Sequence, residues 1–339
     1  MIIRDCIRSA IGGESLSQSQ AEEAMIEILE GKASAAQIAG LAVALRMKGE
    51  TVDELTGFTR AMREKASRVP HQHPVVLDTC GTGGDGSGTF NISTTVALVV
   101  AGAGVPVAKH GNRAVSSRSG SADVLQALGV KVDLDEKQAG RCLDEVGIGF
   151  LFAPALHAAL KHAALPRREL GVRTFFNLLG PLANPAGAKR QLLGVFDGDF
   201  VEPMAEVAAR LGTERAWVVH GLDGLDEITL CDETRVAEVR DGKVRGFYLQ
   251  PADLGMEQTT PKELLGGDAQ VNAEITRAIL AGAQGPRRDI VVVNAAAALF
   301  VAGAAPSLKE ALPLAARSID SGAAAAKLEA LRALSSSFV

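Results

Sequence analysis

Gly81-Thr82-Gly83-Gly84-Asp85-Gly86-Ser87-Gly88-Thr89-Phe90-Asn91-Ile92-Ser93-Thr94 is the stretch on which the reading of the fold turns. It follows a short apolar run, Val75-Val76-Leu77, and leads into a helix-like run, Thr95 to Ala103. Five glycines stand between positions 81 and 88. A glycine in an ordered element costs roughly 0.5–1 kcal/mol relative to alanine. The cluster therefore costs on the order of 3–5 kcal/mol, against a usual total stability of about 5–15 kcal/mol. A chain keeps such a stretch either as a floppy linker or as a loop whose bare backbone must approach a ligand. Linkers are not normally flanked by a buried strand and an apolar helix. A strand, a glycine loop and a helix in succession aim free N–H groups and a positive helix end at an anion. The Ser and Thr hydroxyls of the loop add phosphate donors or ligands for a hard cation.

Downstream, short apolar strands alternate with helices. The pattern predicts strands at Val75–Asp78, Val105–Ala108, Gly147–Phe152, Gln191–Phe196, Ala216–His220 and Glu227–Leu230. It predicts helices at Ala122–Leu128, Asp199–Leu211, Gln270–Leu280 and Ile290–Val301. Such alternation implies a mostly parallel sheet covered by helices. Residues 232–268 read as an irregular excursion with a small hairpin at Arg235–Phe247, and the Ala-rich tail Ala311–Leu334 reads as helix. Asn177–Pro185 is dense in turn residues and reads as a crossing between regions.

Upstream, residues 1 to about 67 read as three or four short helices. Gln20–Glu30 carries apolar residues at helical spacing and ends at Gly31; Ser34 caps Ala35–Lys48; Thr51-Val52-Asp53-Glu54 resembles a capping box before Leu55–Ala66. The fold class is thus α/β: a small N-terminal helical domain, residues 1–70, and a larger, mostly parallel α/β domain, residues 71–339. Val69–Pro74 is the hinge-like connector. An apolar helix pair of this kind also suits a dimer face.

The chain has 339 residues and a formal charge of −5, with 47% hydrophobic and 4% aromatic residues. A sizeable core is expected, built from Ala, Val, Leu and Ile. A mildly acidic chain has no global attraction for nucleic acid or an anionic membrane, so a polyanion would need a local cluster of donors. The four cysteines, Cys6, Cys80, Cys142 and Cys231, form no CxxC pair. That argues against a disulfide framework or zinc site and fits a reducing cytoplasm. Cys80 reads as a small buried hydrophobe. Met1–Asp5 does not read as a signal peptide, and no apolar run reaches membrane-spanning length.

Four constellations carry chemistry. Gly81, Gly83 and Gly86 satisfy a dinucleotide-type spacing, but the next strand ends in Lys109 and His110 rather than an acidic residue, which disfavours NAD. An NADP oxidoreductase survives as an alternative through Arg113. The second is Lys109 to Ser121, with three cations, one His and four Ser in thirteen positions after a strand. In an acidic protein this block points to a phosphate-rich partner, and two donor-rich loops on adjacent strands suggest two phosphate groups. The third is His220-Gly221-Leu222-Asp223-Gly224-Leu225-Asp226-Glu227. Adjacent carboxylates repel unless a cation joins them, and magnesium is typically held by one or two carboxylates with substrate phosphates. A metal bridging Asp226 and Glu227 to a phosphorylated ligand, helped by Ser93, fits; an exposed acidic turn is the plain alternative. The fourth is Arg167-Arg168 near His157 and His162. Arg167 suits a bidentate carboxylate, while both histidines read as packed or capping.

Taken together, Asp78-Thr79-Cys80-Gly81-Thr82-Gly83-Gly84-Asp85, Asn91-Ile92-Ser93-Thr94, Lys109-His110-Gly111-Asn112-Arg113 and Asp223-Gly224-Leu225-Asp226-Glu227 resemble the anthranilate phosphoribosyltransferase family. The resemblance runs nearly the whole chain and includes Arg167–Gly171 and Asn177–Pro185. It implies a helical domain joined by a mid-chain segment near 165–185, an active site between the domains, and a homodimer through the helical domain. It implies joining of anthranilate to phosphoribosyl pyrophosphate (PRPP) with Mg2+. By resemblance, PRPP contacts are Gly81, Gly84, Asp85, Thr89, Asn91, Ile92, Ser93 and Thr94. Lys109, His110, Gly111, Asn112, Arg113, Ala114, Val115, Ser116, Ser117 and Ser121 complete them. Metal ligands are Ser93, Asp226 and Glu227, and anthranilate contacts are Gly81, Asn112 and Arg167. Two departures touch the anthranilate entry: His157-Ala158-Ala159-Leu160 replaces the family's His-Pro-Ala-Met, and Leu165-Pro166 stands where Pro-Val is usual. A nucleoside phosphorylase of the same architecture is the nearest alternative; it needs no obligatory metal.

Overall fold

The computed structural model describes residues 1–114 and 118–338. Val115, Ser116 and Ser117 of the second loop lie outside the described residues. Four helices come first: α1 (Ile2–Ile11), α2 (Gln18–Leu29), α3 (Ala35–Lys48) and α4 (Val52–Lys65). Each of α2 to α4 starts on a capping box: Ser17 with Gln20, Ser34 with Gln37, Thr51 with Glu54. These pairs satisfy amides that a helix start leaves unbonded.

From residue 77 the chain alternates strand and helix: β1 (Leu77–Asp78), α5 (Ile92–Gly102), β2 (Val107–Gly111), α6 (Ser121–Ala127), α7 (Glu136–Val146) and β3 (Ile148–Phe152). Three helices then run without an intervening strand: α8 (Ala153–Leu156), α9 (Lys161–Leu170) and α10 (Phe176–Leu182). The pattern resumes with β4 (Arg190–Gly194), α11 (Val201–Arg210), β5 (Arg215–Gly221), β6 (Thr234–Arg240) and β7 (Lys243–Leu249). Four helices close the chain: α12 (Ala269–Leu280), α13 (Pro286–Ala302), α14 (Leu308–Asp320) and α15 (Ala323–Ser337). Among the described residues the strands form one sheet in the order β3-β2-β1-β4-β5-β6-β7. The first five pair in parallel, and the β6–β7 hairpin adds antiparallel to β5.

Side chains of β4 to β6 alternate between two hydrophobic cores. Leu192, Trp217, Val219 and Val236 join a core built around α5 and α13. Leu193, Ala216, Val218, Ala237 and Val239 join a core shared with α1 to α4, α10 and α11. A sheet covered on both faces needs near-continuous apolar strands, which is what the sequence shows. The chain between β3 and β4 returns to the helical layer: Phe175 stacks on Phe58 of α4 with ring centres 4.4 Å apart. Arg63 of α4 donates to the carbonyls of Leu182 (2.7 Å) and Leu211 (2.9 Å), tying α4 to the ends of α10 and α11.

Three expectations need correction. Glu227–Leu230 is not a strand: Asn294 of α13 accepts from the Ile228 amide and donates to the Ile228 carbonyl, both at 2.9 Å, so a side chain replaces the ladder. The turn-dense segment before Pro185 holds the short helix α10, with Pro181 inside it. The alanine-rich tail is two helices, divided at Gly322 in a left-handed conformation (φ 77°).

Gly57 of α4 shows how closely the bundle packs. A Cβ there would stand 2.2 Å from the Gln18 carbonyl oxygen and 2.9 Å from Ala21 Cβ. At Gly40 of α3 a Cβ would meet only Ile7 Cδ1, at 3.8 Å. Gly57→Ala should therefore destabilise by about 1–3 kcal/mol through overpacking. Gly40→Ala should be neutral or stabilise by up to about 1 kcal/mol. Thermal melts of the two variants compare them directly; equal shifts would contradict the close α2–α4 approach.

Candidate active site

The site is built where β1, β2, β4 and β5 end, the edge at which parallel sheets place ligands. Its floor is Asp78, buried at the end of β1. Asp78 accepts from Asn184 Nδ2 (2.7 Å), the His110 amide (3.2 Å) and Cys80 Sγ (3.3 Å). Asn184 also donates to the Ala108 carbonyl at 2.8 Å. These bonds lock β1, β2 and the chain leaving α10 together. Burial above all pushes the Asp78 carboxyl above its ordinary range, with Lys109 opposing. Asp78, Cys80 and His110 also bring three potential metal-ligand atoms within 4.8 Å. Asp78 is already committed to three donors, and burial holds Cys80 as a thiol. Here Cys80 does more than fill space, because it donates to a carboxylate.

The glycine loop runs from this floor. Its first half lies along β4: the Thr82 amide donates to the Gly194 carbonyl (2.9 Å), and the Phe196 amide donates to Thr82 Oγ1 (3.0 Å). Gly83, Gly84, Gly86 and Gly88 all have positive φ, from 63° to 78°, which favours glycine at each. Ser87 Oγ donates to Asp85 at 2.5 Å, and the Gly266 amide to the Gly88 carbonyl at 3.0 Å. Thr89 forms an antiparallel bridge with Leu265.

The loop ends at α5. Asn91, before its first turn, spans two elements: its Nδ2 donates to the Ser119 carbonyl (3.1 Å) and its Oδ1 accepts from Asn272 (2.9 Å). Ser93 Oγ accepts from Lys109 Nζ at 3.2 Å, and the same ammonium donates to the Thr79 carbonyl at 2.8 Å. Lys109 is thereby a buried, immobilised cation between the first two loops. The side chains of Ile92 and Thr94 face inward. The Ile92 side chain belongs to the core, and buried Thr94 lines a small cavity with Leu98, Lys109 and Phe150.

In the second loop Ser121 Oγ accepts from the Asn112 amide and donates to its carbonyl, both at 3.2 Å. A Cβ at Gly111 would lie 2.2 Å from Ser121 Oγ. Asp123, not foreseen from sequence, organises the turn: it accepts from the amides of Ala114 and Gly120 (2.9 Å each) and from Arg113 at 3.1 Å. Arg113, one of the three cations of this block, is paired with Asp123.

The acidic turn after β5 reaches the glycine loop directly. Asp226 Oδ2 accepts from the Gly83 amide at 2.9 Å. A Cβ on Gly81 would lie 2.7 Å from that oxygen, and one on Gly194 would lie 1.5 Å from the Asp226 carbonyl oxygen. Burial first, then repulsion from Asp85, raises the Asp226 carboxyl to about 7. Glu227 is pushed well up by burial and by Asp226, with Lys109 and a bond from the Ser93 main chain opposing. Both residues are half-buried. Asp223 is a turn holder instead, accepting from Thr229 Oγ1 at 2.8 Å.

Arg167 of α9 lies over the Phe176 ring, 5.2 Å from its centre. The histidines divide. His162 lies against Gly31 in the bundle, whereas His157 is buried 5.1 Å from His110, ring centre to ring centre. His110 Nδ1 donates to the Gly180 carbonyl at 3.0 Å, and among the described residues both Nε2 atoms are buried without a partner. No local signal marks this pair, because the two residues are far apart in sequence.

Residues 4–66 match the family described as the glycosyl transferase family, helical bundle domain, and residues 73–325 its a/b domain. Anthranilate phosphoribosyltransferase of Moorella thermoacetica is 58% identical over 325 residues, 96% of each chain. This chain belongs to the anthranilate phosphoribosyltransferase family. The crystal structure of a family member from Thermus thermophilus superposes with a TM-score of 0.93 at 46% identity, covering 98% of this chain and 100% of that one. The Saccharomyces cerevisiae anthranilate phosphoribosyltransferase, solved in complex with PRPP and Mg, superposes with a TM-score of 0.90 at 27% identity, over 99% and 98% of the two chains. The NADP and nucleoside phosphorylase readings are set aside accordingly.

In this family member the paired imidazoles make a pH prediction. Burial above all lowers His110 to about 3 and His157 to about 4. An unfolded histidine titrates near ~6.5. Between those values the unfolded chain binds protons that the native chain refuses, so stability falls as the pH drops through the window. His157→Gln should flatten the fall in unfolding free energy, read from urea melts, between about pH 6.5 and 4, by up to ~1.4 kcal/mol per pH unit. Parallel wild-type and variant slopes would contradict a buried neutral His157.

Proposed function

We propose that this chain transfers the phosphoribosyl group of PRPP to the amine of anthranilate, giving N-(5-phosphoribosyl)anthranilate and pyrophosphate, in tryptophan biosynthesis. One observation carries the reading: the glycine loop and the acidic turn are in contact, with Asp226 on the Gly83 amide, and Lys109 ties Ser93 to the same place. One cavity can therefore offer a diphosphate both bare amides and a metal clamp.

In this reading PRPP lies against Gly81, Gly84, Asp85, Thr89 and the turn from Asn91 to Thr94. Lys109 to Ser117 and Ser121 close around it. Ser93, Asp226 and Glu227 are the Mg2+ ligands. The fit rests on donor chemistry: all three offer oxygen, and two enclosed carboxyl groups are driven toward protonation with Lys109 as their nearby cation. Bound there, the metal supplies Lewis-acid stabilisation of the pyrophosphate leaving group. Lys109, held by Thr79 and Ser93, and the loop amides face the same developing charge without reorganising. Gly81, Asn112 and Arg167 receive anthranilate; the yeast enzyme, solved in complex with 4-fluoroanthranilate, supports an aromatic acid as ligand. The aromatic amine is neutral at pH 7 and needs no base before attacking the anomeric carbon. Catalysis is then positioning plus leaving-group stabilisation.

The same reading keeps a helical domain of residues 1–70, joined by the mid-chain segment near 165–185, against the α/β remainder. It makes the enzyme a homodimer through the helical layer, where Ile11 and Met47 are 75% and 84% exposed. It places the enzyme in the cytoplasm, where its free cysteines stay reduced.

The direct test is loss of anthranilate fluorescence on adding PRPP and Mg2+, with a chelator abolishing it; turnover unaffected by the chelator contradicts the metal assignment. Asp226→Asn combined with Glu227→Gln should lower kcat by about a hundredfold or more while circular dichroism stays native. Arg167→Ala should raise KM for anthranilate far more than KM for PRPP. An equal rise in both would point to a distorted site instead.

A further inference from the structure

Arg173 belongs to none of the constellations above, yet it stands on the glycine loop. It lies between α9 and α10, after the left-handed Gly171 (φ 61°). A Cβ built on Gly84 would sit 3.4 Å from Arg173 Nε, 3.5 Å from Nη2 and 3.6 Å from Cζ. The guanidinium therefore covers the bare face of Gly84, the residue after the amide that Asp226 holds. Its seat is aromatic: Cζ is 4.4 Å from the centre of the Phe196 ring. Phe196 is itself tied to the loop, its amide donating to Thr82 Oγ1 at 3.0 Å. Among the described residues no carboxylate pairs with Arg173, although Asp85 and Asp226 belong to the same loop and turn. An exposed arginine held by a ring face rather than by a carboxylate keeps its N–H fork for a ligand.

We infer that Arg173 is a further substrate-binding residue, a cation that grips a phosphate group of PRPP as it lies on the glycine loop. The inference rests on the proposed function. The acid pair and its metal hold the diphosphate from the Gly83 side, and Arg173 supplies a planar, bidentate donor at Gly84. Because the residue enters from the segment between α9 and α10, it also couples the loop to that segment when PRPP is present.

The test is calorimetric titration of PRPP with Mg2+ into wild type, Arg173→Ala, Arg173→Lys and Phe196→Leu, with steady-state kinetics beside it. Arg173→Ala should weaken PRPP binding by about tenfold to a hundredfold and raise KM for PRPP in parallel. KM for anthranilate and the melting temperature should stay unchanged. Arg173→Lys keeps the charge without the fork and should recover part of the loss. Phe196→Leu keeps the cation without its seat and should show a smaller rise in the same constant. If wild type binds PRPP and Arg173→Ala binds it equally well, the inference is overturned and the functional reading stands. A change confined to KM for anthranilate also overturns it. If wild type binds no PRPP, both readings fall.

Discussion

Two missing side chains let a carboxylate turn lie on bare backbone, and the cleft depends on that contact. β5 is not a neighbour of β1 in the sheet; β4 lies between them. For the turn after β5 to touch the loop after β1, the end of β4 must be low. Gly194 makes it so, since any Cβ there would overlap the Asp226 carbonyl, at 1.5 Å. Gly81 clears the other side, with Asp226 Oδ2 2.7 Å from where its Cβ would stand. Main chain then approaches main chain, and the Gly83 amide closes the gap to the carboxylate.

Electrostatics follows from that geometry. Two carboxyl groups brought into the turn lose water above all, and charge repulsion adds to it, from Asp85 on Asp226 and from Asp226 on Glu227, so both resist ionisation. Lys109 offsets part of this, while its ammonium donates to Thr79 and Ser93. The arrangement favours a small divalent cation together with an anionic ligand over either one alone. A rigid floor keeps these groups aligned: Asp78 and Asn184 bind β1 to β2 and to the chain leaving α10, so loops from separate strands share one foundation.

Much of this was legible in the sequence where the signal is local. The glycine loop shows as a cluster of residues suited to left-handed backbone, and the Ser-x-x-Gln and Thr-x-x-Glu starts of α3 and α4 show as caps. The alternation of strand and helix carried the fold class. What remained hidden depends on partners distant in the chain. Glu227–Leu230 has the composition of a strand, but Asn294 takes its hydrogen bonds. Thr94 looks like a loop hydroxyl, but the turn of α5 points it into a small cavity. The pairing of His157 with His110, the hold of Asp123 on the second loop, and Arg173 over Gly84 arise only after the chain has closed on itself. Family resemblance supplied ligand roles that neither spacing nor composition contains.

The central claim is that the glycine loop and the acidic turn serve one ligand. Crystals grown with PRPP and Mn2+ in place of Mg2+ test it most directly, because the anomalous signal of manganese locates the ion independently of the phosphates. The account predicts an ion peak at the Asp226 and Glu227 carboxylates, bonded to diphosphate oxygens that also accept from the amides of the glycine loop. A diphosphate lying elsewhere than on that loop, or a metal peak remote from both acids, would contradict it.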